Sequence, residues 1–241
     1  MKKAATLFLL INLLPLLVKE NDSFAQSKNV IKTSVVPIFF KDYSLYFERR
    51  IHKNVSFSIG GSYMPVRGLP DIVTKFSDGG SVDLSKISFS GLSVIPEIRI
   101  FPGLKIRHSA PHGFYISIYA KLRSYKVDFP FSYNDSTTFD FSGRFTGIGI
   151  GMMFGHQWII GDHFAIDWWI SGAHFGNLSS NLEVTSSDLG AIDQVKFVND
   201  LNGISFPQGS LNAEISQNTA KIAINAPFVG FRSGFTFGVA F

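Results

Sequence analysis

The last fourteen residues, Phe228 to Phe241, read FVGFRSGFTFGVAF and leave the chain little freedom of fold. Val229, Phe231, Phe235, Phe237, Val239 and Phe241 recur at every second position, with Ser233 the one polar member of the row. Between them stand Gly230, Arg232, Gly234, Thr236, Gly238 and Ala240. A period of two puts the two sets on opposite faces of a β-strand. The second set is mostly glycine and alanine, which would make a poor water-facing surface and suits the inside of a narrow closed barrel. The large apolar side chains are therefore expected to point outward.

Composition agrees with that orientation. The 241 residues include 25 Phe and 22 Gly, while charged residues make up only 17%, below the usual quarter. An aromatic-rich, charge-poor chain suits a lipid-facing barrel with aromatic girdles, although composition alone does not exclude a soluble all-β sandwich. There is no cysteine, which excludes disulfides, thiolate metal sites and a lipid-modified cysteine. The formal charge is +4, and removing residues 1–25 takes away three basic and two acidic residues to leave about +3. No Lys/Arg cluster with interleaved aromatics occurs, so a nucleic-acid partner is not expected.

Residues 1–25 read as a secretory signal peptide. Lys2 and Lys3 precede an apolar run from Ala4 to Val18, and Ser23-Phe24-Ala25 offers a cleavage site. The run is broken by Thr6, Asn12 and Pro15 and falls short of the roughly 20 residues that span a bilayer. No other stretch approaches a membrane helix, so a mature chain that crosses a membrane must do so as a closed barrel.

Eight alternating runs follow: Val30–Phe40, Tyr43–Ile51, Val55–Met64, Ile87–Phe101, Gly113–Val127, Gly143–Ile160, Phe164–Gly176 and Phe228–Phe241. The connections on one side, 52–54, 103–112 and 161–163, are short. Those on the other are 41–42, 66–86, 128–142 and 177–227, three of them long. Eight is the smallest number of strands that crosses an outer membrane, with short turns on the inner side and long loops outside. Within 177–227, Leu189, Ile192, Val195, Val198 and Leu201 recur every three residues. That spacing allows a short amphipathic helix between Ser187 or Asp188 and Gly203, although Val195–Val198 also suits a strand.

The inward faces carry charge. Glu48, Arg50, Glu97, Arg99 and Asp167 fall at similar depth, with Lys121 and Arg232 higher. Isolated charges there would be expensive to bury, so a paired network is expected. An eight-stranded barrel is just wide enough for side chains, so such a network fills the lumen.

The segments IKTSVVPIFF, YSLYFERR, PEIRIF, TGIGIGMMFGHQW and FRSGFTFGVAF resemble the small OmpA/OmpX-like outer-membrane β-barrel domains of Gram-negative bacteria. Phe235, Phe237 and the last residue, Phe241, resemble the C-terminal signature of such barrels. The resemblance implies an all-β, eight-stranded antiparallel up-and-down transmembrane barrel over 26–241, placed in the outer membrane. It implies partnership with outer-membrane lipid and, through the last strand, with the barrel-assembly machinery. The role it implies is structural or surface-interacting, exerted through the outward loops, whose ligand it leaves open.

Other constellations point to no chemistry. Gly147-x-Gly149-x-Gly151 lacks the following helix that a dinucleotide fingerprint requires. His108 and His112 have no acid or cysteine close by and read as turn residues rather than metal ligands; His156 and His163 suit the headgroup level. Trp158, Trp168 and Trp169, with Phe129, Phe131, Phe139, Phe141 and Phe145, read as girdle. The stretch Ala173-His174-Phe175-Gly176-Asn177 resembles the His-x-Ser-Asn stretch of outer-membrane lipid A deacylases, but Gly176 stands where the nucleophile is needed. His174 is then expected at the outer rim. A soluble lipocalin-like carrier of an apolar ligand would need the two faces exchanged. No catalytic, cofactor-binding or metal residue is expected.

Overall fold

A computed structural model describes residues 27–35, 38, 41–68, 86–102, 110–134, 137–161, 163–185, 194–202, 209–216 and 219–241; the expected signal segment lies outside them. Their elements are β1 (Asn29–Ser34), β2 (Tyr43–His52), β3 (Val55–Gly68), β4 (Ser88–Ile100), β5 (Gly113–Asn134), β6 (Thr137–Ile160), β7 (Phe164–Thr185), α1 (Gln194–Asn202), β8 (Ser210–Ser216), β9 (Thr219–Pro227) and β10 (Gly230–Ala240). Strands β1 to β7 pair in sequence order, and β10 pairs antiparallel with both β7 and β1. That closes an eight-stranded antiparallel barrel. Strand β9 continues the line of β10 along the far half of β7, and β8 folds back beside β9.

The register fixes the shape. Ala240 pairs with Val30, Val30 with Glu48, Glu48 with Ser58, Ser58 with Glu97, and Glu97 with Tyr119. Tyr119 then pairs with Gly151, Gly151 with His174, and His174 with Gly230. The circuit returns to β10 ten residues from its start. In an eight-stranded barrel that stagger tilts the strands by roughly 40–45°.

Alternation sorts the side chains. On β2, Ser44, Tyr46 and Glu48 are buried while Tyr43 and Leu45 are exposed. On β6, Ile148, Ile150, Met152 and Phe154 are exposed, with Gly147, Gly149, Gly151, Met153 and Gly155 buried between them. The outer surface is thus apolar: Leu45, Ile150, Phe175 and Phe231 are each more than 60% exposed.

The inward glycines are seats for aromatic rings. A Cβ on Gly60 would collide with the Tyr46 ring, on Gly155 with Tyr115, and on Gly230 with His174. At Gly151 it would meet the Ala173 carbonyl oxygen, Tyr119 Cζ at 2.6 Å and His174 Cβ at 2.8 Å. Backbone in a closed wall cannot step aside. Gly151→Ala is expected to destabilise the barrel in detergent by about 1–3 kcal/mol or more, and the outward-facing Gly61→Ala, where the nearest atom is 3.8 Å away, to leave the unfolding midpoint unchanged. Equal midpoints for the two variants would show that these glycines are not needed as seats.

Beyond the barrel the two faces exchange character. On β6 the outward row Ile148, Ile150, Met152 is continued by Thr146, Arg144 and Ser142, while the inward row turns from glycine to Phe145, Phe141 and Phe139. On the neighbouring strand, outward Phe175 gives way to Asn177, Ser179, Asn181 and Glu183, and inward Leu182 and Val184 are buried. The level matches across the pair, since Ile150 pairs with Phe175 and Ile148 with Asn177. Above it Phe139, Phe141, Leu182, Val184, Ala213, Ala220 and Ile222 form a core, packed by Phe129, Phe145 and Val198 of α1.

Several expectations are corrected by this inversion. Residues 128–134 and 137–142, read as loop, continue β5 and β6, and Phe129, Phe139, Phe141 and Phe145 belong to the upper core rather than to a girdle. The segment 177–227 contributes the end of β7, α1, β8 and β9. The helix lies within the stretch whose threefold spacing allowed one.

The first strand is shorter than expected. It ends at Ser34, and Ile38 N then donates to the Val35 carbonyl at 3.1 Å and Lys41 N to that of Ile38 at 2.9 Å. The chain turns within the stretch Val30–Phe40 that the alternation reads as strand; Pro37, which has no N–H for a ladder, lies outside the described residues. Trp169 is corrected too: it is buried inside, while Trp168 stacks outside on Phe235 at 5.7 Å.

Candidate functional site

A charged lattice fills the lower lumen. Lys32 enters it from β1, Glu48 from β2, Glu97 and Arg99 from β4, Asp167 from β7 and Arg232 from β10, and all six are buried. Lys32 Nζ lies 2.6 Å from Glu48 Oε2 and 2.7 Å from Asp167 Oδ2, and it also donates to Gln157 Oε1. Arg99 Nη1 reaches the same two carboxylates at 3.1 and 2.8 Å, while its Nε holds Glu97 Oε1 at 2.7 Å. Arg232 Nη1 takes the other oxygen, Glu97 Oε2, at 2.8 Å. Three cations thus face three carboxylates, and the lattice is neutral.

Neutral side chains complete it. Tyr115 donates its hydroxyl to Asp167 Oδ1 at 2.8 Å, Trp169 its indole N–H to Asp167 Oδ2 at 3.0 Å, and Ser56 its hydroxyl to Glu48. Gln157 ties the lattice to the barrel floor, donating to the Pro111 carbonyl at 2.7 Å. The guanidinium of Arg99 lies 4.4 Å over the Tyr115 ring and that of Arg232 3.9 Å over Trp169, so the cations are held by ring faces as well as by oxygens. Charge-assisted bonds of this length in a dry interior are strong and directional. The lattice acts as a plug with fixed side chains.

Of the seven charges expected to pair, Glu48, Glu97, Arg99, Asp167 and Arg232 meet in this lattice. Arg50 lies nearer the floor, where its Nη1 donates to the Ala110 carbonyl at 3.3 Å. Lys121 stands higher, half-buried, outside the lattice. Lys32 and Gln157 were missed. Both fall on inward parity, but the alternation of the first strand is the weakest of the set, and an uncharged amide has no charge that demands a partner.

His174 is not at the rim. Where β7 passes Gly172, β10 advances from Arg232 to Gly234 while β7 steps back to Trp169, so Ile170 and Ser171 both sit on the outside. This bulge flips the parity of the upper strand and turns His174 inward, 3.3 Å from the Tyr119 hydroxyl and 5.0 Å, ring to ring, from Phe228. His112 is likewise partly buried and accepts from Ile159 N at 3.1 Å. Among the described residues no three His, Asp or Glu side chains are placed to hold a metal ion.

The terminal signature residues divide. Phe237 and Phe241 are exposed on the outer surface, and Phe235 is half-covered by Trp168. The Phe241 carbonyl accepts from Lys28 N at 3.1 Å and Asn29 N at 2.9 Å, which ties the last residue to the start of β1.

The family model described as "Protein of unknown function (DUF3575)" matches residues 7–186. The chain belongs to the DUF3575 family. The DUF3575 match takes in β1 to β7 with five of the six lattice charges; Arg232 and the hairpin of β8 and β9 lie beyond it. No curated protein matches this DUF3575 chain. Among solved structures, the translocator domain of the autotransporter NalP from Neisseria meningitidis aligns over 100% of this chain and 97% of its own, at 9% identity and a TM-score of 0.36. That likeness is too remote to bear on function.

Proposed function

We propose that this protein spans the bacterial outer membrane as a plugged β-barrel, and that its role is structural or surface-interacting, carried by the sheet and connections above the membrane. The observation behind this reading is the double inversion of polarity. From Ile148 to Trp158 the outward face of β6 is apolar apart from His156, which stacks on Trp158 at 4.3 Å. At the tilt derived above, those residues rise about 25 Å, the height of the apolar band of an outer-membrane barrel. Above that level the surface turns polar and the interior apolar, as it would on leaving lipid for water.

The two rival readings are less well supported. A lipocalin-like carrier needs an apolar cavity and a polar exterior, and here the lower lumen holds six charges. A lipid-modifying enzyme needs a nucleophile beside a base on the lipid face; Gly176 has no hydroxyl, and His174 faces Tyr119 inside. The reading therefore assigns no catalytic role. Its partners are membrane lipid, the assembly machinery that would take up β10, and a ligand of the external sheet.

Expressed with its signal segment, the protein is expected in the outer-membrane fraction, with faster gel migration when unheated than after boiling. Release of the mature protein by a high-salt wash without detergent would overturn membrane insertion.

A further inference from the structure

Above the neutral lattice the lumen carries a second set of charges, and among the described residues the signs there do not cancel. Lys121 and Arg123 point inward from alternate positions of β5, and Arg123 Nη2 lies 3.4 Å from Asp42 Oδ2. Arg123 and Arg232 are the cations acting on Lys121, and Asp42 is the acid that opposes them. Lys121 itself is half-buried and makes no ion pair or hydrogen bond among the described residues. Below it Arg232, with its guanidinium 5.3 Å from the Tyr119 ring, spends only Nη1 on Glu97; its Nε and Nη2 are buried without an acceptor.

Asp42 is engaged by Arg123, so among the described residues the half-buried Lys121 ammonium has no ion-pair partner of its own, which is unfavourable, as are buried N–H groups without acceptors. Both deficits lie in one place and ask for the same thing, an oxyanion. Across the wall Lys121 and Arg123 pair with Gly149 and Gly147, so no side chain of β6 competes for the space. The Phe228 ring packs over both glycines and the His174 ring against Gly149, so these two rings wall the vestibule beside Lys121 and Arg123.

We propose that this vestibule binds a small soluble anion through a carboxylate or phosphate group, held by Lys121 and Arg123 with the free N–H groups of Arg232 beneath it. The anion comes from water and not from the bilayer. The pairing of β5 with β6 runs unbroken from Gly113 to Ser132, and on the other flank β4 pairs with β5 on both sides of Lys121, at Leu122 and at Tyr119, so among the described residues the way to Lys121 is down the lumen, from the end opposite the plug. The site rests on the geometry of the lumen and is independent of which compartment that mouth faces.

The test uses the folded full-length protein in an uncharged detergent. Inorganic phosphate and citrate are titrated against the unfolding midpoint, with sodium chloride at equal ionic strength as the reference for screening. A saturable rise above the chloride reference is expected with at least one of the two anions, and Lys121→Met is expected to weaken it at least tenfold. Arg123→Gln serves as the second variant should Lys121→Met fail to fold. A wild-type response no greater than that to chloride overturns the site, as does a saturable response that the folded variants retain unchanged.

Discussion

Replacing Glu97 by alanine lowers the urea midpoint of the detergent-solubilised barrel far more than replacing Ser58 by alanine. The two residues are register partners on neighbouring strands, at one depth and both buried, so the comparison holds position constant. Glu97 accepts from Arg99 through one oxygen and from Arg232 through the other. Its removal leaves both guanidiniums short of an acceptor and the lattice with one positive charge too many. Removing one partner of a buried pair costs about 3–5 kcal/mol, because the surviving charge stays in the low-dielectric interior. The Ser58 hydroxyl is buried with no partner, so Ser58→Ala gives up nothing. Glu97→Gln is expected between them, keeping an acceptor and losing the charge. Equal midpoints for Glu97→Ala and Ser58→Ala would mean that the lattice does not hold the barrel together.

Parity carried most of what the sequence disclosed. Where a strand lies in the apolar band and runs without interruption, alternation assigns every side chain to a face, which is how Glu48, Glu97, Arg99, Asp167 and Arg232 could be read as inward. It misled in two physically distinct ways. At Ile170 and Ser171 a bulge spends two residues on one side of the wall, and everything beyond it, His174 included, changes face. A bulge leaves no mark in a plain count by twos. Above Ile148 and Phe175 the period of two persists, but there the outer face is polar and the inner face apolar, so the same alternation means the opposite. Phe139 and Phe141, flanking Asp140, face the upper core and not a membrane boundary, because the rule valid below stops at that level.

That limit is itself the most informative feature of the fold. A sheet that kept an apolar outer face along the whole of β5, β6 and β7 would have to stay in lipid throughout, and one with a polar outer face throughout could not enter it. On the membrane reading proposed above, a single strand that does both marks the level of the interface on its own backbone. Glu183 and Lys221, paired across β7 and β9 with 3.8 Å between their charges and both largely exposed, stand on the wet side of that level. Their contribution to stability is slight; what they report is their surroundings.

Lys32→Met is expected to unfasten the first strand. Strand β1 has six residues, five of them paired with β10 and four with β2, so its ladders alone hold a short stretch of wall at the seam where the barrel closes. Lys32 adds an anchor that crosses the lumen, joining Glu48 on β2 to Asp167 on β7. Without it two carboxylates are left to Arg99 alone, and the lattice carries a net negative charge in a site shut off from water. The same 3–5 kcal/mol scale applies, but the loss should be concentrated at the seam. Amide exchange of Ile31 and Thr33 is expected to quicken more than that of Ile98 or Ile118, deep in the longer ladders of β4 and β5. Adding Glu48→Gln restores neutrality and is expected to return part of the lost midpoint, a coupling that two independent sites would not show. Lys28→Met, an exposed position, supplies the reference. If Lys32→Met matched it in midpoint and in exchange at Ile31, the closure of the barrel would rest on backbone pairing alone, and the lattice would be filling and not fastening.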